Sequence, residues 1–581
     1  MESKCPIFGQ IMIKKIILSL LLGLTTSSLI AEDIREAASG LTKKAATSGF
    51  NRILYLMQAG NTETALKVYR EYFDKEGQHD LELVQNIGLI LLDQGFKSDD
   101  EESQLLTLFG AGISMNERAI YILEDGMRSR NPQLQYVSMN ELARLQNDGA
   151  DEALKRAMGS NYVLIRLECL YHLAEKKVPS AAHYAEALMS KVDSSLLPLF
   201  PQYFAMIGDD DAIKVLRKLL NHPKENVRVE AVLSATKHGR DDLLPTIRTL
   251  ATHHLMIQQE ACAVCLGVLK DEVAVPKLES MLHSGCPTVR LAAMHALFRL
   301  GKHELRSQIE EAAKANDLFA ITLLGDMPGS EDFLVELIKS QNIQIRVNAT
   351  LALLKRQDAR CLYPLAEILV RDSRDLAFTK VHSPSKAMFS YKVVPSARQN
   401  FREDLIPYEV SLGIRENTLA QSSELPEKEF ISLANMLFEN QQHDLIPTLV
   451  RILESLHTPQ AINLLKKHQQ KAGAPLIRNY CNLALYRLKE DGPYADNLKA
   501  WVAMQQGEDF IFRPLIPWEM RDASGPYQLT PQEKSRLLIE SCQALTQSQD
   551  DFGVNVLLNV IQNGNSKNKY ALAGLLIRAA Q

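Results

Sequence analysis

From residue 127 onward the apolar positions recur with helical spacing, and one short string keeps returning along the chain. Ile165-Arg166, Val227-Arg228, Val289-Arg290, Ile345-Arg346 and Ile477-Arg478 are apolar–arginine pairs. Four residues after the first member of each comes a small residue: Cys169, Ala231, Ala293, Ala349 and Cys481. Weaker copies stand at Leu134-Gln135 with Ser138, at Leu196, and at Ile257-Gln258 with Ala261. The anchors 134, 165, 196 and 227 are 31 residues apart, the next steps, to 257 and 289, are 30 and 32, and a degenerate unit near Leu318 bridges to Ile345. Self-similarity at such a period marks stacked helical pairs.

The pattern places the start of each unit's second helix at the anchor. Pro132, Pro287 and Pro475 lie two residues ahead of theirs, where a missing N–H and a set φ cost nothing. Val227, Ala231 and Ala235 then fall at i, i+4 and i+8, a single buried stripe whose small residues admit a neighbouring helix. Gly208, Gly239 and Gly301, each twelve residues after an anchor, fit a left-handed helix stop. The next first helix opens on strings such as Leu243-Leu244-Pro245, Val275-Pro276 or Leu445-Ile446-Pro447.

The string P-x-[VIL]-R-x-x-A, with helices opening on xxIPxL, resembles HEAT repeats, and the period resembles the short bacterial form named after phycobilisome lyases. The resemblance covers Leu134–Val370 and, less closely, Leu445–Leu488. It implies an all-α, right-handed α–α superhelix of armadillo type with two irregular insertions, and a concave face of the kind that commonly binds proteins. Scaffolds, enzymes and nucleic-acid binders share this architecture, so the resemblance does not bring a function with it.

A cation in the first turn of a helix opposes the helix dipole, so the arginine of each pair asks for a partner. The expectation is an Arg–carboxylate ladder between consecutive units, with Asp241, Asp242 and Asp271 as candidate acids.

Outside the clean repeats the chain divides as follows. Residues 1–31 have the layout of a secretory signal peptide, with Lys14 and Lys15 before the apolar run Ile16–Leu24 and Met12 as a plausible true start. Residues 32–126 read as an N-terminal helical cap containing LYLMQAGNTETALKVYREYF, which faintly resembles a tetratricopeptide pair. The repeat array follows over 127–370, an irregular insertion over 371–430, further helical repeats over 431–490, a Pro/aromatic insertion over 491–531 and a C-terminal helical cap over 532–581. The insertions carry related hexamers, Leu405-Ile406-Pro407-Tyr408-Glu409-Val410 and Leu515-Ile516-Pro517-Trp518-Glu519-Met520. Tyr408, Arg513 and Trp518 are the candidate partner-binding residues, since aromatics beside arginine on long loops are typical of interfaces.

Composition narrows the class. At 581 residues, 46% hydrophobic and 23% charged, the chain is not extensively disordered. Its net charge of −5 gives no electrostatic reason to expect nucleic acid, and removal of residues 1–31 makes that −7. No stretch after Ala31 is long and apolar enough to span a membrane, so the expectation is an exported protein, periplasmic or secreted. Seven cysteines remain after Cys5 is lost, an odd number and too sparse for a disulfide scaffold.

Candidate chemistry is thin. Cys262 and Cys265 form a C-x-x-C inside a helix, His283 and Cys286 are three apart, and His253-His254 are adjacent and point to different faces. Deoxyhypusine hydroxylases, which are enzymes of HEAT-like build, carry several His-Glu dipeptides, whereas this chain has only His303-Glu304. Bilin lyases act on cytoplasmic proteins. No nucleophile-elbow, metalloprotease or P-loop motif occurs. No catalytic, cofactor or metal residue is assigned. The expectation is a non-enzymatic scaffold for a protein partner; the alternative is an enzyme or small-ligand-binding protein with a site between solenoid and insertions.

Overall fold

The computed structural model describes residues 48–370, 376–380, 391–395, 408–471, 473–505, 529–547 and 551–581. The signal-peptide segment lies outside them. The chain is an α-solenoid of helical pairs. One unit shows the construction. Asp209 accepts the Ala212 N–H at 2.8 Å and so starts the first helix, Asp210–Leu219, which buries Ile213, Leu216 and Leu219. The second helix, Glu225–Lys237, buries Val227, Ala231 and Ala235. The predicted stripe is the core stripe.

The anchors Leu134, Ile165, Val227, Val289, Ile345 and Ile477 are all buried. The weak copy at Ile257 is out of phase: Ile257 is 50% exposed, and the buried residue is Gln258. The helix stop confirms the shift. A residue with positive φ recurs twelve positions after the anchors, at Lys177, Gly208 (after the half-buried Leu196), Gly239, Lys270, Gly301, Gln357 and Lys489. Lys270 matches Gln258, not Ile257. A search for glycine alone misses four of these seven, because the left-handed stop is also filled by Lys and Gln at a modest strain cost.

The expected Arg–carboxylate ladder does not form from these arginines. Arg228, Arg290 and Arg346 donate to backbone oxygens six residues earlier, His222 O at 2.6 Å, Ser284 O at 2.6 Å and Ser340 O at 2.9 Å. Those carbonyls lie in the turn three residues past the first helix of the same unit, which ends at Leu219, Met281 and Leu337, so the cation ties down its own unit's turn beyond the negative end of that helix. Arg228 adds a 2.7 Å bond to Gln258, and only Arg346 has a distant carboxylate, Glu367 at 3.7 Å. The Nε of Arg166 is buried without a hydrogen-bond partner. Residue 472, six before Arg478, lies outside the described residues. The acids pair with other arginines instead: Asp242 with Arg240 at 3.0 Å and Asp271 with Arg248 at 2.6 Å.

Within the segment expected to be an irregular insertion over 371–430, residues from 408 onward belong to repeat helices. A helix runs over Tyr408–Ser422 and another over Glu427–Glu439. Ile414-Arg415 is a further apolar–arginine pair, and Arg415 donates to Leu369 O at 2.6 Å, 46 residues back, at the end of the first helix Leu362–Val370. The unit is therefore intact, with 371–407 inserted in its turn. Within that stretch, Leu376–Lys380 and Tyr391–Pro395 pair antiparallel, Leu376 opposite Pro395, the second strand lying along Ile343–Lys355. The Pro/aromatic insertion is narrower too: Tyr494–Met504 is helical before it and Leu529–Thr546 after it.

Successive second helices pack on one another from Glu101–Ile113 through Pro132–Arg144 and onward to Leu529–Thr546 and Asn568–Ala579. Asn568–Ala579 then packs on Leu81–Phe96 and on Glu101–Ile113, where the series began. The array closes on itself. Each predicted cap thus covers the other's apolar face. Lys567 pairs with Asp100 at 3.2 Å and with Glu102, and Gln581 donates to Ser114 O at 3.1 Å across the seam.

Candidate partner-binding edge

The turn joining the first helix of a unit to its second is built alike around the array. Ser129, Ser160, Ser284 and Ser340 accept the backbone N–H two residues on at 3.1–3.2 Å, and His222 does so through Nδ1 at 3.1 Å. Gln135, Arg228, Arg290 and Arg346 bond the carbonyls of Ser129, His222, Ser284 and Ser340 from six residues on. A serine or histidine six positions before each of these Arg or Gln residues was thus legible in the sequence, and the apolar-Arg search alone passes over it.

Three features share this edge. Residues 371–407 join the first helix Leu362–Val370 to the second helix Tyr408–Ser422, and residues 506–528 join the first helix Tyr494–Met504 to the second helix Leu529–Thr546. Both insertions therefore leave the array from the same kind of turn. The exposed apolar side chains Tyr162, Leu164, Leu199, Met256 and Ile257 stand at or next to the starts of second helices in three units, the unit of Glu225–Lys237 adding none. Of the other large exposed apolar residues of the described chain, Met115, Tyr121, Val273 and Tyr363 stand near the starts of first helices, on the opposite edge.

The third feature is a groove of about 580 Å³ between the turns 128–131 and 158–162. Met127, Ala153 and Ala157 line its apolar part, and Arg128, Arg130 and Arg156 its basic part, with Glu124 the only acid in the lining. Arg128 meets Glu124 at 3.5 Å and Asp125 at 2.7 Å, and Arg156 also pairs with Glu124. Arg130 is exposed and makes no ion pair among the described residues. Gln135 ties the two turns together: its amide donates to Ser129 O at 2.6 Å and its Oε1 accepts the Ser160 hydroxyl at 2.6 Å. The Tyr162 hydroxyl donates to Arg130 O at 2.7 Å. These arginines lie outside the repeat pattern, and only the stacking of two units brings them to one groove.

Of the described cysteines, all but Cys286 are buried. Cys262 and Cys265 lie side by side in Met256–Val268; burial pushes the first well above its ordinary value and the second up to about 12. Cys286, at the turn edge, goes the other way: partial burial raises it, but hydrogen bonds from Thr288 and from the Val289 and Thr288 N–H groups outweigh that. Among the described residues no group of three or more His, Cys, Asp or Glu is placed to hold a metal ion, His283 and Cys286 included. Burial lowers His295 to about 4, and Asp326 at 3.7 Å does not offset it. Of the candidate partner-binding residues, Tyr408 is the first residue of its helix, with its side chain not described, while Arg513 and Trp518 lie outside the described residues.

Against known proteins, the profile of HEAT repeats matches residues 213–298. No curated protein matches. Among solved structures, the karyopherin Kap121p bound to the extreme C-terminus of the protein phosphatase Cdc14p is 12% identical, covering 90% of this chain and 68% of its own, with a TM-score of 0.37. UNC-45 from Drosophila melanogaster is 12% identical over 91% of this chain and 88% of its own, TM-score 0.29. Human deoxyhypusine hydroxylase is 13% identical over 64% and 95%, TM-score 0.19. At such scores the assignment rests on the matched repeats and on the unit construction that continues to either side of them. On that ground residues 213–298 are HEAT repeats, and the units that flank them are built in the same way.

Proposed function

We propose that this protein is an exported, extracytoplasmic scaffold that holds a protein partner along its turn edge and performs no chemistry of its own. The observation that carries the reading is the coincidence on one edge of both insertion points, the exposed row Tyr162–Ile257 and the basic groove. Long connections in a rigid array are where recognition concentrates, and a closed array holds them in a constant relation. Tyr408, at the end of the first insertion, and Arg513 and Trp518, within the second, supply aromatic and cationic contacts. The leader over 1–31 supports export.

The test is capture of the partner by the tagged full-length protein in its own cell after crosslinking, together with fractionation. Replacing both Tyr408→Ala and Trp518→Ala is expected to cut recovery of the dominant partner several-fold at unchanged helix content. Equal recovery excludes the insertions as the main contact, and a cytoplasmic location overturns the export reading.

A further inference from the structure

We propose that the groove between the turns 128–131 and 158–162 is the anchoring site for an extended acidic segment of the partner polypeptide, an inference that rests on the scaffold reading above. The chain as a whole is acidic, with a net charge of −5, yet the groove lining holds three arginines and one glutamate. Even with Asp125 counted beside Arg128, the balance stays positive. The sign follows from how the helices are capped. Elsewhere helices start on acids, first helices on Asp209 and Asp271 and second helices on Asp100 and Asp317. The turns described here are capped by Ser, Asn or His, so basic residues at them are not neutralised by capping acids.

The mixed lining favours a peptide over a compact anion. Arg128 and Arg156 already share the Glu124 carboxylate, and Arg130, exposed, has no ion pair among the described residues. The same lining holds Met127, Ala153, Ala157 and the exposed Tyr162, with Leu164 exposed two residues on. A ligand that alternates carboxylates with apolar side chains satisfies both surfaces at once. The volume falls within the range of about 300–1,000 Å³ usual for binding sites. Guanidinium forks suit carboxylates bidentately, and acidic-motif recognition by arginine clusters is a recurrent mode. Preformed turns, locked by Gln135 and Tyr162, keep the ordering cost of the site low.

The experiment uses the purified full-length chain and a dye-labelled peptide of alternating Glu and Leu, with an alternating Gln and Leu peptide as control. Anisotropy should show binding of the Glu peptide that weakens with salt and that falls about tenfold or more in R130Q/R156Q at unchanged helix content. Equal binding of the Gln peptide, equal binding by the variant, or no binding by the wild type overturns the proposal. Competition by inorganic phosphate as strong as by unlabelled Glu peptide also overturns it, in favour of a small-anion site. Crosslinking in the cell separates the two readings. A partner still captured by R130Q/R156Q, with peptide binding absent, removes this site and leaves the scaffold standing; loss of all capture at every edge position removes the scaffold reading itself.

Discussion

Gly110 and Gly574 bring the two ends of the chain into backbone contact. A Cβ added at Gly574 would overlap the carbonyl oxygen of Gly110 and stand 2.9 Å from its Cα. The helices Glu101–Ile113 and Asn568–Ala579 can approach this closely only because neither has a side chain there. The seam is what converts a stack with two exposed ends into a closed array.

Gly574→Ala should therefore force the helices apart at a cost of about 1–3 kcal/mol, the usual penalty of overpacking. Energy transfer between dyes near residues 81 and 581 would report it as a longer distance, with helix content retained. Lys567→Ala removes only solvent-exposed ion pairs with Asp100 and Glu102 and should change the distance little. An unchanged distance in Gly574→Ala would mean the seam tolerates a methyl group and closure does not depend on it.

Much of this fold was legible from sequence, and the misses have physical causes. The apolar–arginine pair locates the second helix because the anchor must be buried and the arginine must reach the turn of its own unit. Ile257 misled because an exposed apolar residue lies next to the true anchor, and Gln258, although polar, is buried by bonds to Arg228 and to Leu250 O. Ile414-Arg415 was hidden because the insertion separates the arginine from its carbonyl by 46 residues instead of six. Closure has no local signature at all. Glycines 110 and 574 are far apart in sequence and obey no period shared with the repeats. The basic groove was invisible for the same reason, since its arginines converge only when units stack.

Val227→Asp tests the stripe. Val227 is fully buried, so the change forfeits about 2 kcal/mol of apolar burial and strands a carboxylate besides. Thermal unfolding should begin well below that of the wild type, with amide exchange fastest around residues 210–237. An unaltered melting curve would place the stripe elsewhere.

Arg228→Leu should destabilise by about 1–3 kcal/mol, because His222 O, Pro223 O and the buried Gln258 lose a charged donor together. Arg130→Gln, by contrast, should leave the melting temperature within error. Equal effects of the two changes would contradict the division between capping and surface arginines.

Two kinds of buried titratable group predict opposite pH slopes. Burial raises Glu141 from 4.5 to about 7, so between those values the folded state holds a proton that the unfolded state has released, and stability falls as pH rises through the window. Burial lowers His295 and His468 from 6.5 to about 4, so stability falls as pH drops from about 6.5 to about 4. Denaturant titrations of Glu141→Gln against wild type should show a stability difference that shifts in favour of the variant from pH 4.5 to 7. A difference independent of pH would mean Glu141 ionises normally in the fold.

The most direct test of the central claim is site-specific photo-crosslinking in the cell, with the probe placed singly at Leu199 or Met256 on the turn edge and at Val273 or Tyr363, which are exposed at the starts of first helices on the opposite edge. The account predicts one dominant protein adduct from Leu199 and Met256 and none of it from Val273 and Tyr363. The same adduct from both edges, or from the opposite edge alone, would contradict it.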